Sequence, residues 1–331
     1  MITGSGVAVD RVDRLAPDQV RQVLELADLA GDVDGAYPLS EHVVLHLRHG
    51  GEAPAVHLLI RDGDHITGYA HIDPTDKIEG PSAELVVHPM KRRRGLGRAL
   101  VTQALAVARE NDPQGRLRLW AHGDHPSAGA LAVSLGFTRA RVLWQMRRSL
   151  YAPIGPAPVP EGVSIRAFEP GRDEDAWLRV NARAFADHPE QGRWTAADLR
   201  VRLAEPWFDP DGFLVAQRDS GGALLGFHWT KIHGTVPADE PGEPAHQHGE
   251  AVHQHDAIGE VYVLGVDPDA HGLGLGAALT AAGLAYLRHR GLDQAMLYVD
   301  ESNTAAVALY SRLGFVRWTT DTSFLQRSSI T

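Results

Sequence analysis

The stretch from Glu260 to Phe315 reads E-V-Y-V-L-G-V-D-P, then H-G-L-G-L-G, then an apolar-faced helix, a strand and N-T-A-A-V-A-L-Y-S-R-L-G-F. An apolar strand that stops at a proline, followed by a glycine-rich turn and a helix, is typical of an anion-binding site. The helix N-terminus presents free amides, and Gly272, Gly274 and Gly276 let a ligand approach the backbone without a Cβ clash. This stretch therefore predicts a site for a diphosphate group.

An earlier part of the chain contains a second copy of this stretch. A-E-L-V-V-H-P-M-K-R-R-R-G-L-G runs from Ala83 to Gly97, and a later L-G-F ends at Phe137, as the copy quoted above ends at Phe315. The spacing between the glycine turn and L-G-F agrees between the copies to within one residue. This agreement indicates a tandem repeat of one domain type.

Hydrophobic periodicity predicts the same elements in both copies: a strand, two helices, a hairpin, a strand before the glycine turn, a helix, a strand, a helix and a last strand. In the first copy, the first strand is predicted at Val7–Val9 and the last at Val142–Met146. Prolines at 153, 156, 158 and 160 indicate an extended linker. We therefore expect domains at residues 1–150 and 163–331, joined by a linker at 151–162.

Composition favours a folded protein of about two domains, because 331 residues include 44% hydrophobic ones. The net charge of −10 argues against binding to nucleic acid or to an anionic membrane. No apolar run reaches the roughly 18 residues of a transmembrane helix, and the first residues lack the pattern of a secretory signal. The absence of cysteine excludes disulfides and thiolate chemistry. We expect a cytoplasmic monomer.

Both glycine turns resemble the signature of the GCN5-related N-acetyltransferase (GNAT) family, which is Arg or Gln, two residues, Gly, one residue, and Gly or Ala. The first copy fits it fully from Arg92 to Gly97. The second copy keeps Gly274 and Gly276 but has His271 where Arg or Gln is usual. The resemblance covers nearly the whole chain. It implies an α/β fold with a mixed sheet in each of two tandem GNAT domains, and acetyl-CoA as the cosubstrate.

The resemblance also assigns contacts to acetyl-CoA at the strand ends, the glycine turns and the start of the last helix. In the first copy these are Leu85, Val86, Val87, Arg92, Arg93, Arg94, Gly95, Leu96 and Gly97. In the second copy they are Leu264, Gly265, Val266, His271, Gly272, Leu273, Gly274, Leu275, Gly276, Ala277, Asn303 and Ala306. The strand amides should bond the pantetheine arm as an added strand would. Asn303 can instead cap its helix, and both roles are compatible.

The two turns differ in charge. Lys91 and the three arginines after it are unfavourable beside a helix N-terminus unless an anion lies between them. They indicate tight cofactor binding by the first copy. The second turn, with Asp269 and His271, is far less basic.

Tyr310 is the candidate general acid. It lies in L-Y-S-R-L-G-F, whereas the first copy has Ala132 at that position. A phenol can donate a proton to a departing sulfur, and alanine cannot. In the GNAT family a tyrosine here often lies beside the thioester sulfur. The alternative is a core aromatic whose hydroxyl reaches the surface.

Glu260 is the candidate general base, since the first copy has Pro81 at the matching position. Strand alternation predicts Tyr262, Leu264 and Val266 on the same face as Glu260. An α-amino group has a pKa of about 7.7–8.0, so a modest base, acting directly or through water, is enough. The alternative is a strand-end glutamate in solvent.

The likeness extends to tandem enzymes of this family that acetylate a cysteinyl glucosaminyl inositol. N-A-R-A-F-A-D-H-P-E-Q-G, F-H-W-T-K, G-E-V-Y-V-L-G-V-D-P and L-Y-V-D carry this closer match. It implies a small-molecule amine substrate contacted by Glu41, Glu190, Lys231, Glu260 and Tyr298. The open alternatives are another amine, on an aminoglycoside or a protein N-terminus, and a non-catalytic acyl-CoA sensor.

The copies should therefore differ in function. The first lacks both proton-handling residues, so we expect it to bind acetyl-CoA without turning it over. The second carries a long polar loop at 233–258 with H-Q-H at 246–248 and 253–255. A metal site there is the alternative to a solvated loop, but no carboxylate or cysteine has a recognisable ligand spacing. We expect no metal.

Overall fold

The computed structural model describes residues 6–50, 54–186, 188–234 and 257–327, with residues 189 and 190 described for their backbone only. The chain divides into two compact units. The first contains Met1–Trp144, Asp300–Ser302 and Thr319–Thr331, and the second contains Gln145–Val299 and Asn303–Trp318. Each unit thus includes residues from both halves of the sequence, whereas the prolines predicted a single division at the linker, residues 151–162.

The first unit is an α/β arrangement. Its strands are β1 (Asp10–Val12), β2 (Val56–Asp62), β3 (His65–Asp73), β4 (Ser82–Val87) and β5 (Leu117–Ala121). Its helices are α1 (Pro17–Asp34), α2 (Glu41–His49), α3 (Leu96–Asn111) and α4 (Pro126–Ser134). Strand β6 (Thr138–Ser149) begins in this unit and ends in the second.

The second unit repeats this order. Its strands are β7 (Val163–Ala167), β8 (Phe213–Arg218), β9 (Leu224–His233), β10 (Ile258–Val266) and β11 (Gln294–Asp300). Its helices are α5 (Glu174–Ala184), α6 (Pro189–Gly192), α7 (Ala196–Leu203), α8 (Leu275–His289) and α9 (Thr304–Arg312). Strand β12 (Val316–Gln326) begins in this unit and ends in the first. The predicted order of elements is confirmed except for the short helix α6, which was not predicted, and the first strand is at 10–12 rather than at Val7–Val9.

Local sequence sets several helix ends. Pro17 at the first position starts α1, and Gly35 ends it in the left-handed region at φ 71°. Ser40 starts α2 by accepting a hydrogen bond from the amide of Val43. Among the helices described, none is both long and apolar enough to cross a bilayer.

The sheet of each unit is antiparallel except at one pair of strands. In the first unit, β1 to β4 pair antiparallel in chain order, β4 pairs with β5 in parallel, and Thr322–Gln326 of β12 pair antiparallel with β5. In the second, β7 to β10 pair antiparallel and β10 pairs with β11 in parallel. Apolar clusters lie on both faces of each sheet. In the first unit α1 and α2 pack on one face and α3 on the other, and in the second unit α5 and α7 pack on one face and α8 on the other.

Each parallel pairing stops before its strands end. In the first unit it covers only Ser82 opposite Arg118 and Ala83 opposite Leu119, although β4 continues to Val87. In the second it ends at Val261 opposite Leu297, although β10 continues to Val266. Beyond these points the backbone groups that point away from the antiparallel neighbour have no strand partner. A narrow ligand can therefore pair with the free edges.

Gly283 gives a test of the packing between α8 and β9. A Cβ built there would lie 2.1 Å from Cε1 of His228, which is fully buried and held by a 2.8 Å hydrogen bond between its Nδ1 and the carbonyl of Leu279. We expect Gly283→Ala to lower the free energy of unfolding by about 1–3 kcal/mol. Calorimetric melting of the purified variant measures this loss.

The matched control is Gly129→Ala in α4, where the nearest atom to the new Cβ is Cζ of Phe324 at 3.6 Å. This contact is ordinary, so the control should be neutral or stabilised by about 0.4–1 kcal/mol. Equal melting temperatures for the two variants would contradict the packing argument.

Candidate functional site

The two glycine turns have the same backbone geometry. Gly95 and Gly274 are the N-caps of α3 and α8, with φ of 83° and 79°. Neither cap has a side chain to bond the first helical amides, so those amides are available to a ligand. Two residues earlier, Arg93 and Gly272 are also left-handed, at φ 65° and 81°. Arg93 thus adopts a left-handed conformation that normally favours glycine, the residue at the matching position of the second copy.

The first position of the GNAT signature, Arg92 in the first copy and His271 in the second, makes the same backbone contact in both copies. Arg92 donates from Nε to the carbonyl of Val87 at 3.2 Å, and Nε2 of His271 lies 3.2 Å from the carbonyl of Val266. Histidine therefore replaces arginine in joining the turn to the end of the preceding strand. The terminal nitrogens of Arg92 bond both carboxylate oxygens of Asp34, at 2.7 and 2.8 Å.

The electrostatic difference between the turns is larger than the sequence alone implies. Arg93 and Arg94 are exposed, and in the described ranges no carboxylate lies within ion-pair distance of either. In the second turn, Arg183 bonds Asp267 at 2.7 Å and Asp269 at 2.8 Å. The first turn thus offers two unpaired cations to an anion, whereas the second offers mainly backbone amides.

A cavity of about 470 Å³ opens in the first unit where β4 and β5 separate. It is lined by every predicted first-copy contact except Arg94, namely Leu85, Val86, Val87, Arg92, Arg93, Gly95, Leu96 and Gly97. Ala132 and His122 also line it. A Cβ at Gly97 would lie 3.1 Å from Cδ2 of Leu131, so glycine keeps the turn close to α4. The free amides, unpaired cations and open strand edge fit a coenzyme A diphosphate and its pantetheine arm.

The second unit has the matching elements. The predicted contacts Leu264, Gly265 and Val266 lie at the end of β10, and those from His271 to Ala277 form the turn and the start of α8. The Oδ1 atom of Asn303 accepts from the amide of Ala306 at 3.1 Å. Asn303 therefore caps α9. The sequence had left two roles open for Asn303, a helix cap and a cofactor contact.

Tyr310 lies in α9 at the position of the cavity-lining Ala132. Its side chain is 8% exposed and packs edge-on against Phe315, with the ring centroids 5.8 Å apart. Burial raises the pKa of Tyr310 to about 12. The phenol therefore stays protonated over the range in which enzymes work, as a hydrogen-bond donor must.

Glu260 is buried rather than solvated, with 7% of its surface exposed. It lies opposite Lys231 in the register of β9 and β10, and its Oε2 is 2.6 Å from Nε2 of His233. The structure thus brings together three titratable side chains at the edge of the apolar cluster on this face. Glu260 and Lys231 were identified from the sequence, whereas His233 was missed.

The prediction that Leu264 and Val266 lie on the same face of the sheet as Glu260 is wrong. The register between β9 and β10 shifts between Val261 and Val263, so Tyr262 is an extra residue and alternation reverses after it. Val263 then pairs with Trp229 on the Glu260 side, whereas Leu264 and Val266 pack in the cluster containing α8. A single-residue bulge is invisible to a strict period of two.

The other predicted substrate residues lie in different places. The Nζ atom of Lys231 is 4.5 Å from the ring centroid of Trp207. Tyr298 is 44% exposed and receives a 2.8 Å hydrogen bond from Nε2 of Gln145. Glu41 is the first residue of α2 in the first unit. The side chain of Glu190 lies outside the described residues.

The first unit contains a buried ionic cluster that was not predicted from the sequence. Nδ1 of His122 lies 2.8 Å from Asp321, and its Nε2 lies 3.6 Å from Glu84, which also accepts the amide of Ser40 at 2.5 Å. Burial alone would lower the pKa of His122, but the two carboxylates outweigh it and raise the pKa to about 10. Burial would raise the pKa of Glu84, but His122 and Ser40 lower it. Glu84, a charged residue inside the apolar run A-E-L-V-V, was the sequence feature that could have indicated a buried ion pair.

The histidine-rich loop of the second copy falls mostly outside the described residues. Both H-Q-H runs lie in that part, as does most of 233–258. Among the residues that are described, no group of three or more His, Asp or Glu side chains could hold a metal ion.

Residues 23–137 and 177–315 both match the model of the acetyltransferase (GNAT) family. The chain belongs to the GNAT family. Among its relatives, a mycothiol acetyltransferase from Salinispora arenicola is 61% identical over 322 residues, covering 97% of each chain. Another protein of that name, from Acidothermus cellulolyticus, is 54% identical over 97% of this chain and 95% of its own.

A solved tandem GNAT protein from the clavulanic acid biosynthesis pathway has a TM-score of 0.70 at 23% identity. It covers 98% of this chain and 100% of its own. This likeness supports the tandem GNAT fold and no finer conclusion.

The raised pKa of His122 predicts a pH window for the first GNAT unit. The folded pKa of about 10 exceeds the unfolded value of about 6.5, so the stabilisation is complete below pH 6.5 and is lost as pH rises through 10. We expect the imidazole of His122 to remain protonated at pH 8 in an NMR titration, and Asp321→Asn to lower its pKa.

The control is Asp124→Asn, which removes the same charge from an exposed site two residues from His122. It should leave the titration of His122 nearly unchanged. A neutral His122 at pH 8 in the wild type would contradict the assigned cluster.

Proposed function

We propose that this chain transfers an acetyl group from acetyl-CoA to the cysteinyl amine of a cysteinyl glucosaminyl inositol, the last step in forming mycothiol. The high identity to full-length relatives named mycothiol acetyltransferase supports this substrate. The observation that carries the mechanism is that a buried carboxylate and a buried phenol occur together in the second unit. A cytoplasmic, monomeric enzyme acting on a small-molecule amine is part of the same proposal.

Glu260 acts as the base in this proposal. The ammonium of the acceptor has a pKa of about 7.7–8.0, so it loses a proton readily near neutral pH. The carboxylate accepts that proton, directly or through a water, and the short hydrogen bond to His233 fixes its orientation. Lys231, directly across the strand pair, provides positive charge beside the carboxylate. The neutral amine nitrogen then attacks the acetyl carbonyl carbon.

Tyr310 acts on the leaving group. Acetyl-CoA supplies the acetyl group as a thioester whose carbon–sulfur bond breaks as the amide bond forms. A phenol with a pKa of about 12 is a weaker acid than a thiol near 8.5, so its main contribution is a hydrogen bond to the sulfur as negative charge develops. The released thiolate then takes a proton from solvent, and Glu260 releases its proton to solvent, so the proton count balances.

The first unit binds acetyl-CoA without turnover in this proposal. Its cavity has Ala132 at the position of Tyr310, so it lacks the phenol that would bond the sulfur. Its buried carboxylate, Glu84, is ion-paired with His122 and has a lowered pKa, which makes it a poor base. Arg93, which lines the cavity and has no ion-pair partner among the described residues, favours retention of the cofactor there.

Replacement of the two catalytic groups tests the mechanism. We expect Tyr310→Phe and Glu260→Gln each to lower kcat by about 10²-fold or more, because each removes a positioned proton donor or acceptor. Calorimetric binding of acetyl-CoA should stay within about twofold of the wild type.

The control is Tyr286→Phe, which also removes a partly buried hydroxyl from the second unit. That hydroxyl bonds Asp209 at 2.6 Å, away from α9. Mass-spectrometric assay with a panel of amines, including an aminoglycoside and a peptide, separates the alternatives. Acetylation of those amines in preference to the cysteinyl acceptor would assign a different substrate to the enzyme. No acetylation of any amine would favour the alternative of a non-catalytic acyl-CoA sensor.

A second test assigns the two cofactor sites. Gly95 and Gly274 have equal backbone conformations, and no atom lies within 4 Å of the position that a Cβ would take at either residue. Valine at either position therefore strains the turn without a clash. In calorimetry of the full chain, we expect two bound equivalents of acetyl-CoA for the wild type and one for each variant.

Gly274→Val should also lose turnover while retaining one equivalent, because only the second unit handles protons. Turnover that persists in Gly274→Val would assign catalysis to the first unit.

A further inference from the structure

Four side chains of the second unit form a connected series, in which Tyr298 and Trp318 are exposed, Arg147 is half-buried and Gln145 is buried. The hydroxyl of Tyr298 accepts from Nε2 of Gln145 at 2.8 Å, and Oε1 of Gln145 accepts from Nε of Arg147 at 2.9 Å. The guanidinium of Arg147 lies 4.7 Å from the ring centroid of Trp318. We call Tyr298, Gln145, Arg147 and Trp318 the aromatic–guanidinium ribbon.

The ribbon lies on the face of the sheet that carries Glu260. Glu260 is opposite Met296 in the parallel register of β10 and β11. Tyr298 follows Met296 by two residues, so strand alternation places both on one face. Two residues of a strand span roughly 6.6 Å, so the ribbon begins about that far along the strand from the proposed base.

The ribbon has features of a ligand site rather than of a packed surface. The ring of Trp318 is 63% exposed, which is unusual for so large an apolar group. Burial lowers the pKa of Arg147, and within the described ranges no carboxylate lies at ion-pair distance from it. A desolvated guanidinium whose terminal nitrogens are unbonded can donate several hydrogen bonds in one plane.

We propose that the aromatic–guanidinium ribbon binds the polyol part of the acceptor, with a sugar ring packed against Trp318 and ring hydroxyls bonded to Arg147, which Gln145 holds in place. This inference rests on the proposed function for the position of the amine. A polyol ring presents apolar C–H groups on its faces and hydroxyls at its rim. An amphipathic aromatic surface edged by fixed donors and acceptors matches both.

The length of the acceptor agrees with the position of the ribbon. Four bonds separate a cysteinyl amine nitrogen from the sugar carbon that carries the amide, which is roughly 5 Å in an extended amide. An amine held at Glu260 therefore puts the first ring near Tyr298, and a second ring reaches towards Arg147 and Trp318. The ribbon would select acceptors with two polyol rings.

The test compares two acceptors on the full chain: the cysteinyl glucosaminyl inositol and cysteinamide, which lacks both rings. For the larger acceptor we expect Trp318→Ala and Arg147→Gln each to raise KM about tenfold with little change in kcat, whereas Trp318→Phe should retain most of the affinity. For cysteinamide the same variants should match the wild type. Tyr151→Ala is the control, because Tyr151 is 79% exposed in the same unit but outside the ribbon.

Equal losses for both acceptors, or an unchanged preference in Trp318→Ala, would overturn the assignment. Titration with glucosaminyl inositol, with tryptophan fluorescence as the readout of binding, separates this inference from the proposed function. Saturable binding that is lost in Arg147→Gln supports the ribbon even if the wild type acetylates neither acceptor. Turnover of the larger acceptor without such binding refutes the ribbon while the proposed function stands.

Discussion

The early end of parallel pairing is the constraint on which the rest of each unit depends. Two or three residue pairs join β4 to β5 and β10 to β11, and then the strands separate. Beyond that point the backbone groups of the separated edges have no strand partner among the described residues, and a ligand or water can bond them. In the first unit the glycine turn, the N-terminus of α3 and Ala132 line this opening.

Two nearly equal scaffolds support different chemistry because a few local features differ. The bulge at Tyr262 turns Glu260 and Val263 to one face, whereas β4 has no such irregularity in its pairing with β3. The first unit uses its buried carboxylate to hold His122 and the amide of Ser40. A charge fixed in a structural ion pair is unavailable to a substrate. The buried carboxylate of the first unit thus lies between His122 and Ser40, whereas Glu260 of the second unit lies beside His233 and opposite Lys231.

The sequence predicted most of the architecture because its signals are local. Periodicity, the prolines and the glycines located the helices and strands, and the repeat identified the GNAT fold. The Glu260 face was mispredicted beyond Tyr262, because one inserted residue reverses alternation without changing composition. Asp321 follows His122 by 199 residues, so only the fold brings it to His122 and Glu84. Whether Tyr310 and Glu260 act in catalysis stays a prediction.

The pairing of β12 with β5 bears on how the protein is made. The first unit includes Thr319–Thr331, which the ribosome adds after every residue of the second unit. At roughly 5–20 residues per second, about 10–40 s pass between the synthesis of β5 and that of its partner. During that interval β5 has an unpaired edge that can recruit other nascent chains. The sheet of the first unit is therefore completed only after the residues of the second unit have been synthesised, so folding from the N-terminus alone leaves that sheet one strand short.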